Sequence, residues 1–159
     1  MNSIKPGPVA LIGAGVIGGG WTARFMLNGI DVKIHDPNPE AGRRLREMIA
    51  NAERAWDRLT SAPLPKKGSL SFYGTIQEAV DGAVFIEECI PENLELKRKI
   101  LNEIETGAAT DVPIGSSTSG IRPSEMQSEM MHPERLLVTH PFNPVYLLPL
   151  VELLSLIHI

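Results

Sequence analysis

The chain holds 159 residues, 43% hydrophobic and 21% charged, enough for one packed domain and free of fibrous or disordered bias. A formal net charge of −4 leaves no basic stripe and argues against a nucleic-acid partner. One cysteine, Cys89, excludes an intrachain disulfide and a cysteine-based zinc site; no metal is expected, and its apolar surroundings predict a buried thiol.

The polar start and the brief apolar run after it do not form a secretory signal, and nothing approaches the roughly 20 apolar residues that span a bilayer. A cytoplasmic protein with no membrane partner is expected. "PVALIG" predicts a buried strand, "GVIGGGWTARFMLNG" a helix closed by a C′ glycine at Gly29, and "IDVKIHD" a second strand. "PEAGRRLREMIANAERAWDRL" predicts a long amphipathic helix, apolar at Leu45, Met48, Ile49, Ala52, Ala55, Trp56 and Leu59. "SAPLPKKGS" is a loop. "LSFYGT" and "AVFIEEC" predict strands around a short helix at 76–81. "ENLELKRKILNEIET" predicts a helix, "PIGSS" a strand, "PSEMQSEM" a short helix, and "RLLVTHPF" and "LLPLVELL" two further strands. This alternation predicts an α/β chain with a Rossmann-type, doubly wound, mainly parallel sheet and helices on both faces.

"GAGVIG" matches G-x-G-x-x-G between a strand and a helix, and the next strand ends in Asp36, eighteen residues after Gly18. Gly13 suits the tight turn, Gly15 lets the backbone approach a pyrophosphate, and Gly18 lets the helix pack on the strand. With Ala14, Val16 and Ile17 between them, these glycines form the expected dinucleotide loop, whose helix N-terminus attracts phosphate. Asp36 would accept from ribose hydroxyls and repel a 2′-phosphate, and "PNP" after it offers no immediate arginine. NAD is the expected cofactor.

Oxidising an alcohol by hydride transfer requires a base, and histidine suits neutral pH. His140 falls at the end of a predicted strand, where open α/β sheets bind ligands. Glu152, twelve residues on, falls in an apolar segment where an unpaired carboxylate would be costly. A His140–Glu152 pair satisfies both demands, because the carboxylate fixes the imidazole tautomer.

The glycine loop, Asp36, "PENLELKRK", "SSTSG" and "HPFNPVYLLPLVE" together resemble the 3-hydroxyacyl-CoA dehydrogenase superfamily, from about Val9 to Glu152. The resemblance implies His140 as catalytic base, Glu152 as its partner and Ser119 as a hydrogen-bond partner of the reacting oxygen, beside the nicotinamide. It also implies cofactor contacts at Glu92, Lys97 and Asn143. Without a cofactor role, these three would be a helix-capping carboxylate, a solvated lysine and a loop-bracing amide.

In the acyl-CoA enzymes a serine and a lysine on the helix after the aspartate hold CoA; an ungapped count reaches Ala52 and Leu59 here. The middle segments, including "RAWDRLTSAPLP", look instead like the branch of the superfamily acting on carnitine. Relatives acting on 3-hydroxyacyl-CoA or L-gulonate are the alternatives. From another class comes a non-catalytic, crystallin-like or sensor protein that binds NAD(H). For a quaternary ammonium substrate Tyr146 is the candidate contact, while Phe142, Trp21 and Trp56 read as packing residues. The resemblance further implies a homodimer and a helical C-terminal domain absent from this chain, so that the fragment alone is expected to be inactive. Residues 1–153 read as a truncated NAD-binding domain and 154–159 as a non-native tail, since one back-translation of "LSLIHI" resembles a transposon-end sequencing adapter.

Overall fold

The computed structural model describes residues 7–59, 61 and 63–155. Strand β1 (Val9–Ile12) is buried at all four positions, as a central strand covered on both faces must be. It ends at Gly13, whose φ of 100° disfavours any L side chain; a Cβ there would also meet the Cys89 carbonyl at 2.7 Å. Helix α1 (Val16–Leu27) follows and is stopped by Gly29, φ 81°, whose N–H returns to the Met26 carbonyl at 3.0 Å. Strand β2 (Val32–His35) leads into α2 (Ala41–Leu59). Leu45, Ile49 and Ala52 are buried there; Met48, Ala55 and Trp56 are half-buried. Leu59, expected on the same stripe, is 72% exposed: the buried stripe stops before the helix does.

Strand β3 (Leu70–Phe72) is followed by α3 (Ile76–Val80), which opens with a capping box between Thr75 and Glu78. Strand β4 (Phe85–Glu88) precedes α4 (Leu94–Gly107), where the Asn93 side chain accepts from the Leu96 N–H at 2.9 Å. Then come β5 (Ile114–Ser116), α5 (Pro123–Met126), 3-10 turns at Gln127–Glu129 and Pro133–Arg135, β6 (Leu136–Pro141) and β7 (Val151–Leu154). The expected "PSEMQSEM" helix is thus divided between α5 and a 3-10 turn. No helix among the described residues is long and apolar enough to cross a membrane.

The strands form one sheet in the order β3-β2-β1-β4-β5-β6-β7, parallel except where β7 joins β6 antiparallel. This is the expected Rossmann-type architecture. The order reverses between β1 and β4, so a crevice opens at their carboxyl ends. Apolar clusters cover both faces, one beneath α3, α4 and α5 and the other beneath α1 and α2. Strand β7 is shorter than "LLPLVELL" suggests. The Leu147 and Leu148 amides return to the Pro144 carbonyl in a turn, and Pro149 has no N–H to give a ladder. Of the suggested tail, Leu154 ends β7, opposite Val138 of β6, and Ser155 follows it; 156–159 lie outside the described residues.

Candidate active site

A cleft of about 570 Å³ opens at the carboxyl ends of β1, β2 and β4, lined by Gly13, Gly15, Val16, Ile17, Asp36 and Ile90 among others. The glycine spacing gives the loop its shape. A Cβ on Gly18 would collide with the Gly13 carbonyl, so only glycine lets α1 start this close to β1. A Cβ on Gly15 would have nothing within 4 Å and would project into open space, as suits a backbone that a ligand must approach. Four of the six expected loop residues line the cleft. Ala14 and Gly18 are buried and form the wall behind it.

Asp36 ties the cleft together. Its Oδ2 accepts from the Ala14 N–H at 2.7 Å and its Oδ1 from the Asn38 N–H at 2.8 Å. Each carboxylate oxygen keeps a further lone pair for a ribose hydroxyl. The free amides at the start of α1, this carboxylate and the apolar walls at Ile76, Leu96 and Ile100 fit NAD.

The second cavity, about 440 Å³, is lined by Ser119, His140 and Glu152 with Thr118, Gly120 and Arg122. His140 and Glu152 meet because β6 and β7 pair them directly opposite in antiparallel register. Nδ1 of His140 lies 2.8 Å from Oε2 of Glu152. The apolar neighbours of Glu152 do not bury it: its side chain is 64% exposed, because β7 is the outermost strand among the described residues. Contact with the imidazole therefore costs little desolvation. Phe142, expected in the core, is 37% exposed, with its ring 5.9 Å from that of His140.

Glu92 and Lys97 serve this cavity from behind. Glu92 does not cap α4, a task that Asn93 performs. Its Oε1 accepts from the Thr118 hydroxyl at 2.6 Å and from the Ser119 and Gly120 amides at 3.1 and 2.8 Å. Burial would raise its pKa, but those bonds and the Lys97 charge outweigh it and hold the carboxyl below its ordinary range. Lys97 is no solvated lysine. It is buried, with Nζ 2.7 and 2.9 Å from the two oxygens of Glu88 and 3.6 Å from Glu92. Ser116 donates its hydroxyl hydrogen to Glu88 from the side.

Asn143 and Tyr146 do not line the cavity of His140. They share a third cavity, about 370 Å³, with Arg44, Glu47, Met48 and Asn51 of α2. Val16 lines both this cavity and the first cleft. Trp56 donates to the Tyr146 carbonyl, and Trp21 packs in the core as expected while donating to Ser117 Oγ at 3.1 Å. Ala52 is fully buried in α2 and has no polar atom to offer a nucleotide.

Sequence reasoning missed the two glutamates in "FIEE". Both are fully buried, on opposite faces of β4. Adjacent carboxylates inside an apolar strand run were the available signal, since burying them demands partners. Cys89, just beyond, is half-buried. Burial and the neighbouring Glu87 push its thiol well above the ordinary range, which leaves it a poor nucleophile.

A family model described as "3-hydroxyacyl-CoA dehydrogenase, NAD binding domain" matches residues 8–157. An L-carnitine dehydrogenase/betainyl-CoA thioesterase of Rhizobium sp is 62% identical over 146 residues, which is 92% of this chain and 29% of that protein. An L-carnitine dehydrogenase of Oceanobacillus iheyensis is 51% identical over 92% of this chain and 48% of its own length. The chain thus spans less than half of either relative. Among solved structures, an NAD+-dependent 5-formyl-3-hydroxy-2-methylpyridine 4-carboxylic acid 5-dehydrogenase superposes with a TM-score of 0.84 at 33% identity, covering 93% of this chain and 48% of that one. The 3-hydroxybutyryl-CoA dehydrogenase of Escherichia coli K12 gives 0.82 at 25% identity, covering 95% and 33%.

Proposed function

The chain belongs to the NAD-binding domain family of the 3-hydroxyacyl-CoA dehydrogenases, and we propose that it supplies the cofactor-binding, base-carrying part of an enzyme oxidising the 3-hydroxyl of L-carnitine. The observation that carries this reading is the His140–Glu152 contact, which opens on the cavity that Ser119 lines. Identity of 51–62% to proteins named for L-carnitine points to the substrate.

Oxidation of the hydroxyl carbon releases a proton and a hydride and leaves a ketone, 3-dehydrocarnitine. NAD+, when bound, supplies the hydride acceptor. The proton goes to His140. With Glu152 accepting from Nδ1–H, Nε2 keeps its lone pair for the substrate hydroxyl, and the carboxylate stabilises the imidazolium that forms. Ser119 hydrogen-bonds the reacting oxygen, while Glu92 steadies Ser119 through its backbone amide. The loop from Gly13 to Gly18 takes the pyrophosphate, and Asp36 the adenosine ribose. Glu92, Lys97 and Asn143 complete the cofactor contacts, Lys97 acting mainly through the carboxylates that it neutralises. Tyr146 is assigned to the quaternary ammonium. A homodimer is part of the proposal on the superfamily resemblance. So is a cytoplasmic setting, which suits a free cysteine.

The test is NADH formation by the intact gene product with L-carnitine, L-gulonate and 3-hydroxybutyryl-CoA. Turnover of L-carnitine above the other two is expected. Preference for either of the others would reassign the substrate, and tight NADH binding without turnover of any would make the protein a non-catalytic binder.

A further inference from the structure

Beneath the candidate active site lies a hydrogen-bonded chain that the reaction does not itself use. Glu87 of β4 is fully buried on the face covered by α1 and α2. It reaches across β5 to β6, where Thr139 Oγ1 lies 2.8 and 2.7 Å from its two oxygens. The crossing is possible because Gly115 occupies the intervening position. A Cβ there would strike both the Glu87 carboxyl and the Thr139 hydroxyl. Ser117, just past β5, also bonds Glu87 Oε1, and Trp21 Nε1 donates to Ser117.

We propose that Glu87 is a positioning residue, its carboxyl group tying the ends of β4, β5 and β6 together and so setting the strand that delivers His140. Thr139 and His140 are adjacent and project to opposite faces of β6. Anchoring the first from below fixes the backbone from which the second rises. The same bond network fixes Ser117, two residues before Ser119.

Burial without a counter-ion also bears on the form of the acid. Ser117 accepts from Trp21 Nε1 and donates its own hydrogen to Glu87 Oε1. Among the described residues, no basic side chain forms an ion pair with Glu87. The neighbouring lysine, Lys97, is engaged by Glu88 on the other face. A carboxylate here would be buried without a counter-ion, which favours the protonated acid, and the Thr139 hydroxyl can donate to Oε2 or accept from it. Burial accordingly pushes Glu87 up to about 8, against the hydrogen bonds from Ser117 and Thr139; the Glu88 charge raises it further and the Lys97 charge lowers it. The thiol of Cys89 also faces the group. Glutamine matches the protonated acid in shape, accepting at one end and donating at the other.

The test uses the 159-residue chain, with no substrate, and so stands apart from the carnitine reading; it rests on that reading only in naming His140 the base. Infrared spectra at neutral pH should show a protonated-carboxyl carbonyl band that is absent from E87Q and fades in the wild type as pH passes about 8. In NMR spectra, E87L should shift the His140 imidazole resonances and weaken NADH binding about tenfold, whereas E87Q should keep both near wild type. Absence of the acid band from the wild type overturns the proposal. So does an E87L variant with unchanged His140 resonances and NADH affinity, or an E87Q variant as impaired as E87L. The infrared arm compares only wild type and E87Q, so it stays decisive if E87L does not fold.

Discussion

His140 and Glu152 are direct cross-strand partners, with Nδ1 and Oε2 2.8 Å apart at the antiparallel junction of β6 and β7. Their separation in sequence is thus a matter of strand register. A one-residue slip of β7 would turn the carboxylate to the opposite face of the sheet. In the intact gene product, His140→Ala should lower kcat by about 10²–10⁴ while leaving the NADH dissociation constant nearly unchanged. E152Q should lower kcat less, because it keeps an acceptor beside Nδ1 but removes the charge that stabilises the imidazolium. Steady-state kinetics with NADH titration checks both. Full kcat in His140→Ala would remove the base from the proposed mechanism.

The glycine loop separates binding from folding. Gly15→Ala should weaken NADH binding about tenfold, or ~1.4 kcal/mol, with no loss in thermal midpoint, because its methyl enters open cleft. Gly18→Ala should lower the midpoint as well, because its methyl meets the Gly13 carbonyl. Fluorescence titration and thermal melts of the two variants give a direct comparison.

Asp36→Asn should narrow the preference for NADH over NADPH. The charge that would repel a 2′-phosphate is gone, while the side-chain oxygen can still accept from one of the Ala14 and Asn38 amides. Parallel titrations with the two cofactors measure the ratio; an unchanged ratio would place discrimination elsewhere in the cleft.

Lys97→Met should cost about 3–5 kcal/mol of stability, because it leaves Glu88 charged, buried and unpaired. Adding Glu88→Gln should return part of that loss. Urea denaturation of the single and double variants tests the coupling.

Glu87 should tilt stability with pH in the sense opposite to a salt-bridged carboxylate. Its folded value near 8 lies above the ordinary 4.5, so between those values the unfolded chain has released a proton that the folded chain retains. Stability from this group is therefore full below about 4.5, falls as pH rises and levels off above about 8. The wild type should lose on the order of a few kcal/mol across that window relative to E87Q, which lacks the group. Parallel urea titrations at several pH values would reveal the difference; identical slopes would rule it out.

Periodicity and glycine spacing carried most of the architecture, because β1, α1 and β2 obey local rules: an apolar run, a turn that excludes side chains, and a helix stopped at Gly29. The His140–Glu152 contact was legible through spacing and chemistry. Exposure was not. Glu152 lies among leucines, yet β7 is the outer strand among the described residues, and strand order is something that no window of residues contains. Lys97 shows the reverse failure. Its helix is polar enough to suggest solvent, but the face it occupies is set by Glu88 on a strand. The Glu87 bridge was hidden for the same reason, since it joins three strands through a gap at a residue with no side chain.

That gap gives sequence change in this fold a preferred order. A side chain can enter at position 115 only after Glu87, Thr139 and the Phe85 ring have all given it room. Once position 115 is filled, the long acid cannot return. Gly115 thus acts as a ratchet between two ways of filling the sheet, and residues 85, 87, 115 and 139 should vary together or not at all.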